Sequence, residues 1–436
     1  MKGKSTAQIA EQLQGYDPQA LPAESVNAFL GELVSPVSET EQVSLFDALN
    51  RVLAEDVISP LSVPPHDNSA MDGFAFDGSQ LQAGMPLRLV VVGMALAGKT
   101  WQGTVRPGEC VKIMTGAVMP AGLDTVAPQE ITRTEGGAVV IPPDILKAGD
   151  NRRHRGEDLM MGEIALNQGE RLGSAALGLL ASLGLARVPV YRRLRVAYFS
   201  TGDEILSLGE APREGAIYDS NRYTVFGMLT RLGCEMIDLG VVRDEPALLE
   251  AAFTRAAARA DAVITSGGVS VGEADHTRMM MKKLGDVAFW RIAMRPGRPM
   301  AVGRIAAAPN QGRSGGPSPA SAVLFGLPGN PVAVMVTFIA FVRPALLLMM
   351  GARPEQPVML RAASEHLIRK KPGRTEYQRG IVTQHSGGRL SVRITGNQGS
   401  GVLSSMMQAN GLMVLGHQQG DVEAGEEVSI MMLNAV

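Results

Sequence analysis

Asp261-Ala262-Val263-Ile264-Thr265-Ser266-Gly267-Gly268-Val269-Ser270-Val271-Gly272-Glu273-Ala274-Asp275 is an apolar run that breaks into a glycine-rich turn and ends in acids. Arg195-Val196-Ala197-Tyr198-Phe199-Ser200-Thr201-Gly202-Asp203-Glu204 repeats the pattern with a shorter turn. Short apolar runs bounded by such turns read as buried strands. Between them, Asp219-Ser220-Asn221 is a cluster of cap-type residues that opens an apolar-periodic helix to Leu232, with Gly233 as its stop. Glu235 to Val242 reads as a further strand. Asp244-Glu245-Pro246 then opens an alanine- and arginine-rich helix to about Ala260, with aspartate at the cap and proline in the first turn. Strand, helix, strand, helix at this spacing predicts a mostly parallel sheet covered on both faces.

Working outward, Met300 to Ile305 and Ala322 to Phe325 look like strands around a Gly-, Pro- and Ser-rich stretch, residues 307–320. That stretch reads as a long, mobile hairpin loop with no chemistry of its own. Val332 to Met350 is the most apolar segment, with Arg343 and Pro344 in its middle. A charge there is costly in lipid, so the segment reads as a buried helix that ends near the proline. Before residue 192 the texture changes. Helical stretches over 24–50 and 174–184 flank short strands and turns between about 78 and 150, which suits a β-rich insertion in a helical domain. After residue 355 the chain is strand-like again, with turns expected at Gly387-Gly388 and Asn410-Gly411 and strands over Gly411 to Leu415 and Glu427 to Met432. A small barrel or sandwich fits.

The chain has 436 residues, 45% hydrophobic and 19% charged, enough for about three packed domains and incompatible with wholesale disorder. Its 41 basic and 43 acidic residues leave a net charge of -2, which excludes nucleic-acid binding by bulk charge. Two cysteines, Cys110 and Cys234, exclude a disulfide scaffold, and the six histidines are scattered. The first thirty residues mix charges and lack an apolar signal core, so a cytoplasmic location is expected.

In open α/β sheets, ligands bind beyond the carboxyl ends of the strands. Two loops leave strands there: Thr201-Gly202-Asp203-Glu204, and Ser266 to Gly272 followed by Glu273-Ala274-Asp275. Glycines let a backbone approach a phosphate, and carboxylates beside a phosphate hold magnesium. Either loop alone reads equally as a turn whose acids cap helices. Both in one domain point to a phosphate and metal site. Pro64-Pro65-His66-Asp67-Asn68-Ser69-Ala70-Met71-Asp72-Gly73, Met114-Thr115-Gly116-Ala117 and Gly326-Leu327-Pro328-Gly329-Asn330-Pro331 are dense in turn residues, and singly each reads as structural. Arg291, Arg295 and Arg298 around Pro296-Gly297, and the run Asn151-Arg152-Arg153-His154-Arg155-Gly156-Glu157-Asp158, suit an oxyanion or equally a solvated face.

Taken together in this order, these segments, with Arg155-Gly156-Glu157-Asp158 among them, resemble the MoeA family. Its members are molybdopterin molybdenumtransferases, and it includes the gephyrin E domain. The resemblance runs from about residue 25 to 434. It implies an N-terminal extension over 1–24, a helical linker domain over 25–77 and 151–192, and an inserted β domain over 78–150. It further implies an α/β molybdopterin-binding domain with a mostly parallel sheet over 193–352 and a small C-terminal β-barrel over 355–436. The implied reaction inserts molybdenum from molybdate into adenylylated molybdopterin, with Mg2+-dependent release of AMP. The implied assembly is a homodimer that works with the molybdopterin adenylyltransferase and acceptor molybdoenzymes, without nucleic acid or membrane.

By the same resemblance, Glu204, Asp244 and Asp275 match acids of the pocket, with Glu204 and Asp275 on the metal. Asp72, Thr115 and Asp158 match positions that reach the pocket across the dimer. Ser200, Thr201, Gly202 and Asp203, then Ser266, Gly267, Gly268, Ser270 and Gly272, form the ligand-binding loops. Pro328 and Pro331 shape the floor, with Gly329 and Asn330 as substrate-binding positions between them; Arg379 and Ser400 lie near the molybdate site, and Arg295 and Arg298 converge on the anion. Arg295 and Arg298 stand where many members have lysine, and Ala333 where many have serine. Two other functions compete: the adenylyltransferase of the same pathway, usually less than half as long, and a gephyrin-like scaffold, which draws on further domains absent from this sequence.

Overall fold

The computed structural model describes residues 4–269, 276–306 and 321–433. Their packing forms two units: Met1–Glu41, Asn50–Ala54 and Pro189–Val436 in one, Gln42–Leu49 and Glu55–Val188 in the other.

In the larger unit the elements run β1 (Arg195–Thr201), α1 (Ser220–Leu232), β2 (Glu235–Val242), α2 (Pro246–Arg259), β3 (Ala262–Ser266), α3 (His276–Leu284), β4 (Gly285–Arg291), β5 (Pro299–Ala306) and β6 (Ser321–Leu327). They form one sheet in the order β2-β1-β3-β6-β5-β4. The first four strands are parallel, and β5 and β4 continue antiparallel. Alternation along the strands makes two cores. Val196, Tyr198, Ile264 and Phe325 face a core with Val225 and Leu229 of α1. Ala197, Phe199, Val263 and Leu324 face another with Leu249, Phe253 and Ala256 of α2. Phe199 and Phe253 meet edge to face with centroids 5.0 Å apart.

The helix signals read from the chain operate as expected at α1. The Asp219 carboxylate accepts from the Arg222 amide at 3.1 Å, and Gly233 ends the helix with φ 91°. At α2 the expectation needs correction. The cap position is Glu245, without a side-chain bond, and Pro246 opens the helix. Asp244 instead turns its carboxylate to the Thr277 hydroxyl at 3.1 Å.

Two further expectations are corrected. The helix expected over 24–50 spans only Ala23–Leu33, because Pro36 follows its end and a strand, Thr40–Ser44, comes next. The apolar helix does not stop at Pro344. It runs as α4 (Pro331–Thr337), a π turn Phe338–Val342 and α5 (Arg343–Met349). The Arg343 amide reaches back five residues to the Phe338 carbonyl, so the proline enters at the first turn of a fresh α segment, where no amide is needed. Most of this helix is buried within the protein.

Beyond it, β7 (Met359–Ser364), β8 (Thr375–Gln384), β9 (Leu390–Ile394), β10 (Gly411–Leu415) and β11 (Glu427–Met432) follow β8-β9-β7-β11-β10. Strand β10 pairs back to β8, which closes a five-stranded barrel. Gly387 and Gly388 turn between β8 and β9 with φ of 93° and 83°. Asn410-Gly411 is not a hairpin turn: the Asn410 carboxamide brackets the Val382 backbone at 2.7 and 2.9 Å, and Gly411 already belongs to β10.

The smaller unit holds a mixed six-stranded sheet in the order Thr125–Pro128, Gly73–Phe76, Glu109–Ile113, Leu87–Ala95, Ala138–Ile141, Arg133–Glu135. Helix Ser174–Ser182 matches its expected place.

The amino ends of β1 and β3 are tied by charge. Arg192 grips Asp261 through two bonds of 2.7 and 2.8 Å, and Asp261 also accepts from the Arg195 amide at 2.8 Å. Both side chains are mostly buried. Asp261→Ala leaves Arg192 without its bidentate partner and is expected to cost about 3 kcal/mol of stability, measured by urea denaturation; a midpoint within error of wild type would show the pair to be dispensable.

Candidate active site

Polar residues gather where β1, β3 and β6 end. A cavity of about 470 Å³ opens there, lined by Ser200, Thr201 and Glu204 after β1, Asp219 and Asn221 at the start of α1, Ser266 and Gly267 after β3, and Gly329, Asn330 and Pro331 before α4. Gly401 and Leu403 from the barrel region complete the wall. Parallel strands in register bring these loops to one edge, which places the site as the topological rule expects.

Glycine is required at two points of the rim. Gly267 has φ +93°, and a Cβ on it would sit 2.4 Å from the Thr201 carbonyl oxygen. Gly268 has φ +64°, and a Cβ there would sit 2.4 Å from Thr277 Cβ. The loops of β1 and β3 therefore touch through backbone, and no side chain fits between them.

Beneath the cavity lies a hydrogen-bonded layer. The Tyr198 hydroxyl and Ser200 Oγ are 2.8 Å apart. Burial, reinforced by the charge of Asp219, pushes the Tyr198 phenol far above its ordinary value, so it stays neutral. Thr201 Oγ1 meets Thr277 Oγ1 at 3.1 Å, and Thr277 donates to Asp244 at 3.1 Å. The Asp244 amide points to Asp203 Oδ1 at 3.4 Å. Glu204 is exposed at the rim.

The residues expected from the sequence fall into groups. Ser200, Thr201, Glu204, Ser266, Gly267, Gly329, Asn330 and Pro331 line the cavity. Gly202, Asp203, Gly268 and Pro328 belong to the same loops without lining it, and Asp244 lies in the loop after β2. Asn330 donates to Ser400 Oγ at 3.0 Å, and the Ser400 carbonyl accepts from the Val332 amide at 3.0 Å. Arg379 is fully buried, and its guanidinium donates to the carbonyls of Asn397, Gln398 and Gly399 and to Ser405 Oγ. It organises the loop that leads to Ser400. Burial, and to a lesser degree the charge of Arg295, lowers its basicity. Arg295 and Arg298 are exposed on a turn whose Gly297 lies against α4, where a Cβ would come within 2.6 Å of Thr337 Cγ2. Ser270, Gly272 and Asp275 lie outside the described residues, as does the loop 307–320.

In the smaller unit, Asp72 Oδ1 accepts from both the amide and the hydroxyl of Thr115, each at 2.7 Å. These bonds hold the Asp72 carboxyl below the usual carboxylate range. The Asp67–Gly73 segment joins the Thr115 and Arg155 segments: Gly116 donates to Ser69, Ser69 to Ala117, and the Arg155 amide to Asp67 Oδ1. Asp158 is exposed, and its amide donates to Val63.

Sequence reasoning assigned Asp219 and Asn221 to a helix cap and missed them as cavity residues. The available signal was their position between a strand and a helix on the ligand side of the sheet. Thr277 carried no signal at all.

The arrangement offers hydroxyls, glycine turns and rim carboxylates, which suits a phosphate-bearing ligand. Comparisons with known proteins show the family. Residues 21–184 match the family model described as MoeA N-terminal region (domain I and II). Residues 197–347 match a probable molybdopterin binding domain, and residues 361–433 match the MoeA C-terminal region (domain IV). The chain is 42% identical to the molybdopterin molybdenumtransferase of Haemophilus influenzae over 91% of its own length and 95% of that protein's. It is 37% identical to the corresponding enzyme of Nostoc sp., over 91% and 89% of the two chains. The crystal structure of the molybdopterin biosynthesis moeA protein from Pyrococcus horikoshii OT3 superposes with TM-score 0.79 at 27% identity, covering 95% of this chain and all of that one.

Gly267→Ala forces a left-handed φ on a residue with a Cβ and drives that atom into the Thr201 carbonyl. A stability loss of about 2 kcal/mol is expected in chemical denaturation; a variant as stable as wild type would mean that the two loops separate freely.

Proposed function

Because the chain belongs to the MoeA family, and is a transferase of molybdenum-cofactor biosynthesis, we propose that its cavity binds adenylylated molybdopterin and that AMP leaves as molybdenum is inserted. The observation that carries this reading is the cavity at the ends of β1, β3 and β6, with its glycine turn and the exposed carboxylate of Glu204. The phosphates lie beside the glycine turn, within reach of the hydroxyls of Ser200, Thr201 and Ser266 that line the cavity. Hydrolysis forms a bond from the water oxygen to phosphorus, breaks the phosphoanhydride P–O bond and releases AMP. Asp244, bonded to Thr277, acts on the cavity through Thr201, whose hydroxyl meets that of Thr277.

The donor set fits a hard divalent ion. Among the described residues no cluster of three or more metal-type side chains occurs, and magnesium ordinarily takes one or two carboxylates with substrate phosphates and water. Glu204, with Asp275, would hold it. Bound there, Mg2+ would neutralise phosphate charge during hydrolysis.

Molybdate is a dianion and needs compensating charge to leave water. Arg295 and Arg298 supply two guanidinium groups from one turn, and Ser400 adds a hydroxyl. Ala333 is buried in α4 and brings none where relatives offer serine. Asp72, Thr115 and Asp158 act in this reading on the cavity of a second copy, so that the working form is a homodimer. The adenylyltransferase supplies the ligand, and a molybdoenzyme takes the product.

Purified protein is expected to release AMP from adenylylated molybdopterin only when molybdate and magnesium are added. Glu204→Gln and Asp275→Asn should lower that rate by about a hundredfold, as for lost transition-state electrostatics. Glu204→Gln should melt as wild type does. AMP release without molybdate, or at the wild-type rate in both variants, would defeat the reading.

Arg298→Ala should weaken molybdate binding while adenylylated molybdopterin still binds. Separate calorimetric titrations distinguish the cases; a variant that loses the pterin nucleotide but keeps molybdate would assign the arginine to the wrong anion.

A further inference from the structure

We propose that Asn221 is a positioning residue that latches the loops after β3 and β6 to the start of α1, and so sets which backbone amides the cavity presents. The inference rests on the reading of this cavity as the pterin-nucleotide site. Asn221 is nine-tenths buried, one residue inside the helix that Asp219 caps. Its Nδ2 donates to the Gly329 carbonyl at 2.7 Å and to Ser266 Oγ at 2.7 Å. A carbonyl only accepts, so the amide nitrogen is the atom that faces it. Ser266 in turn donates to the Pro328 carbonyl at 3.3 Å. One carboxamide thereby draws two successive carbonyls, of Pro328 and Gly329, toward α1.

That direction has a consequence for binding. Both peptide bonds that follow are trans. In a trans peptide the N–H points opposite to the preceding C=O. The N–H groups of Gly329 and Asn330 therefore point away from the latch, and both residues line the cavity. Backbone donors fixed in this way favour an anionic ligand without reorganisation on binding. Neither Asn221 Oδ1 nor Asp219 Oδ2 has a hydrogen-bond partner, so the bonds of the Asn221 carboxamide all run through its nitrogen.

The test compares Asn221→Asp, Asn221→Ala and Val225→Ala. The first keeps the volume but turns a donor into an acceptor against the Gly329 carbonyl. The last removes a fully buried side chain one turn along the same helix and controls for stability. Calorimetric titration with adenylylated molybdopterin should show N221D and N221A weakened at least about tenfold, with V225A at wild-type affinity despite a comparable fall in Tm. Wild-type affinity in N221D, or a loss in V225A that tracks its Tm, would overturn the proposal. Wild-type protein that binds no pterin nucleotide would sink the parent reading instead. The latch is then read from hydrogen exchange: the Gly267 amide, which donates to the Leu327 carbonyl between the two latched loops, should exchange about tenfold faster in N221D and not in V225A, and unchanged exchange in N221D overturns it.

Discussion

Tyr198 and Phe199 are neighbours on one strand and pack into opposite cores, each without exposed surface. Full burial of side chains of this size contributes about 2 kcal/mol apiece, and the same alternation runs through Ile264 and Val263 and through Phe325 and Leu324. A slip of one residue in any of these strands would exchange the two cores completely. Register in the central sheet is therefore tightly specified, and with it the level at which β1, β3 and β6 end. The loops that follow have no comparable core of their own. They take their positions from the strands they leave.

What those loops do with their polar groups follows from the same economy. At the edge of a buried sheet, hydroxyls and carboxamides must find partners or stay wet. Tyr198 pairs with Ser200, Asn221 with Ser266 and the Gly329 carbonyl, and Thr277 with Thr201 and Asp244. This layer separates the apolar core from the cavity and makes its floor stiff. Arg379 solves a similar problem in the barrel. A buried guanidinium with no carboxylate beside it is tolerated because three carbonyls and a hydroxyl accept its protons. Its contribution to the Ser400 loop is therefore architectural, while Arg295 and Arg298 are exposed.

The π turn in the apolar helix belongs to this picture. Pro344 would break a regular helix, yet the helix must continue to keep Phe338, Phe341 and Leu346 in the core. One wide turn absorbs the missing amide and leaves the apolar stripe unbroken. Hydropathy alone sees only a mostly apolar nineteen-residue span, Pro331–Met349, with Pro344 inside it.

Local pattern sufficed wherever a single physical cause dominates. Period-2 alternation, the Asp219 cap, the Gly233 stop and the strand limits of β2, β10 and β11 are legible because each depends on neighbours in sequence. The helix expected over 24–50 was placed at its start and overrun at its end, since Pro36 closes Ala23–Leu33 and a strand, Thr40–Ser44, follows. The carboxyl-edge loops were found because glycines and acids after an apolar run have few other uses. Tertiary structure alone decided that Asp244 turns to Thr277 rather than capping α2, that Arg379 donates to three carbonyls and the Ser405 hydroxyl, and that Asn221 joins segments up to 108 residues apart. Those outcomes depend on which long-range acceptors come within about 3 Å of a donor, and no spacing along the chain records that distance.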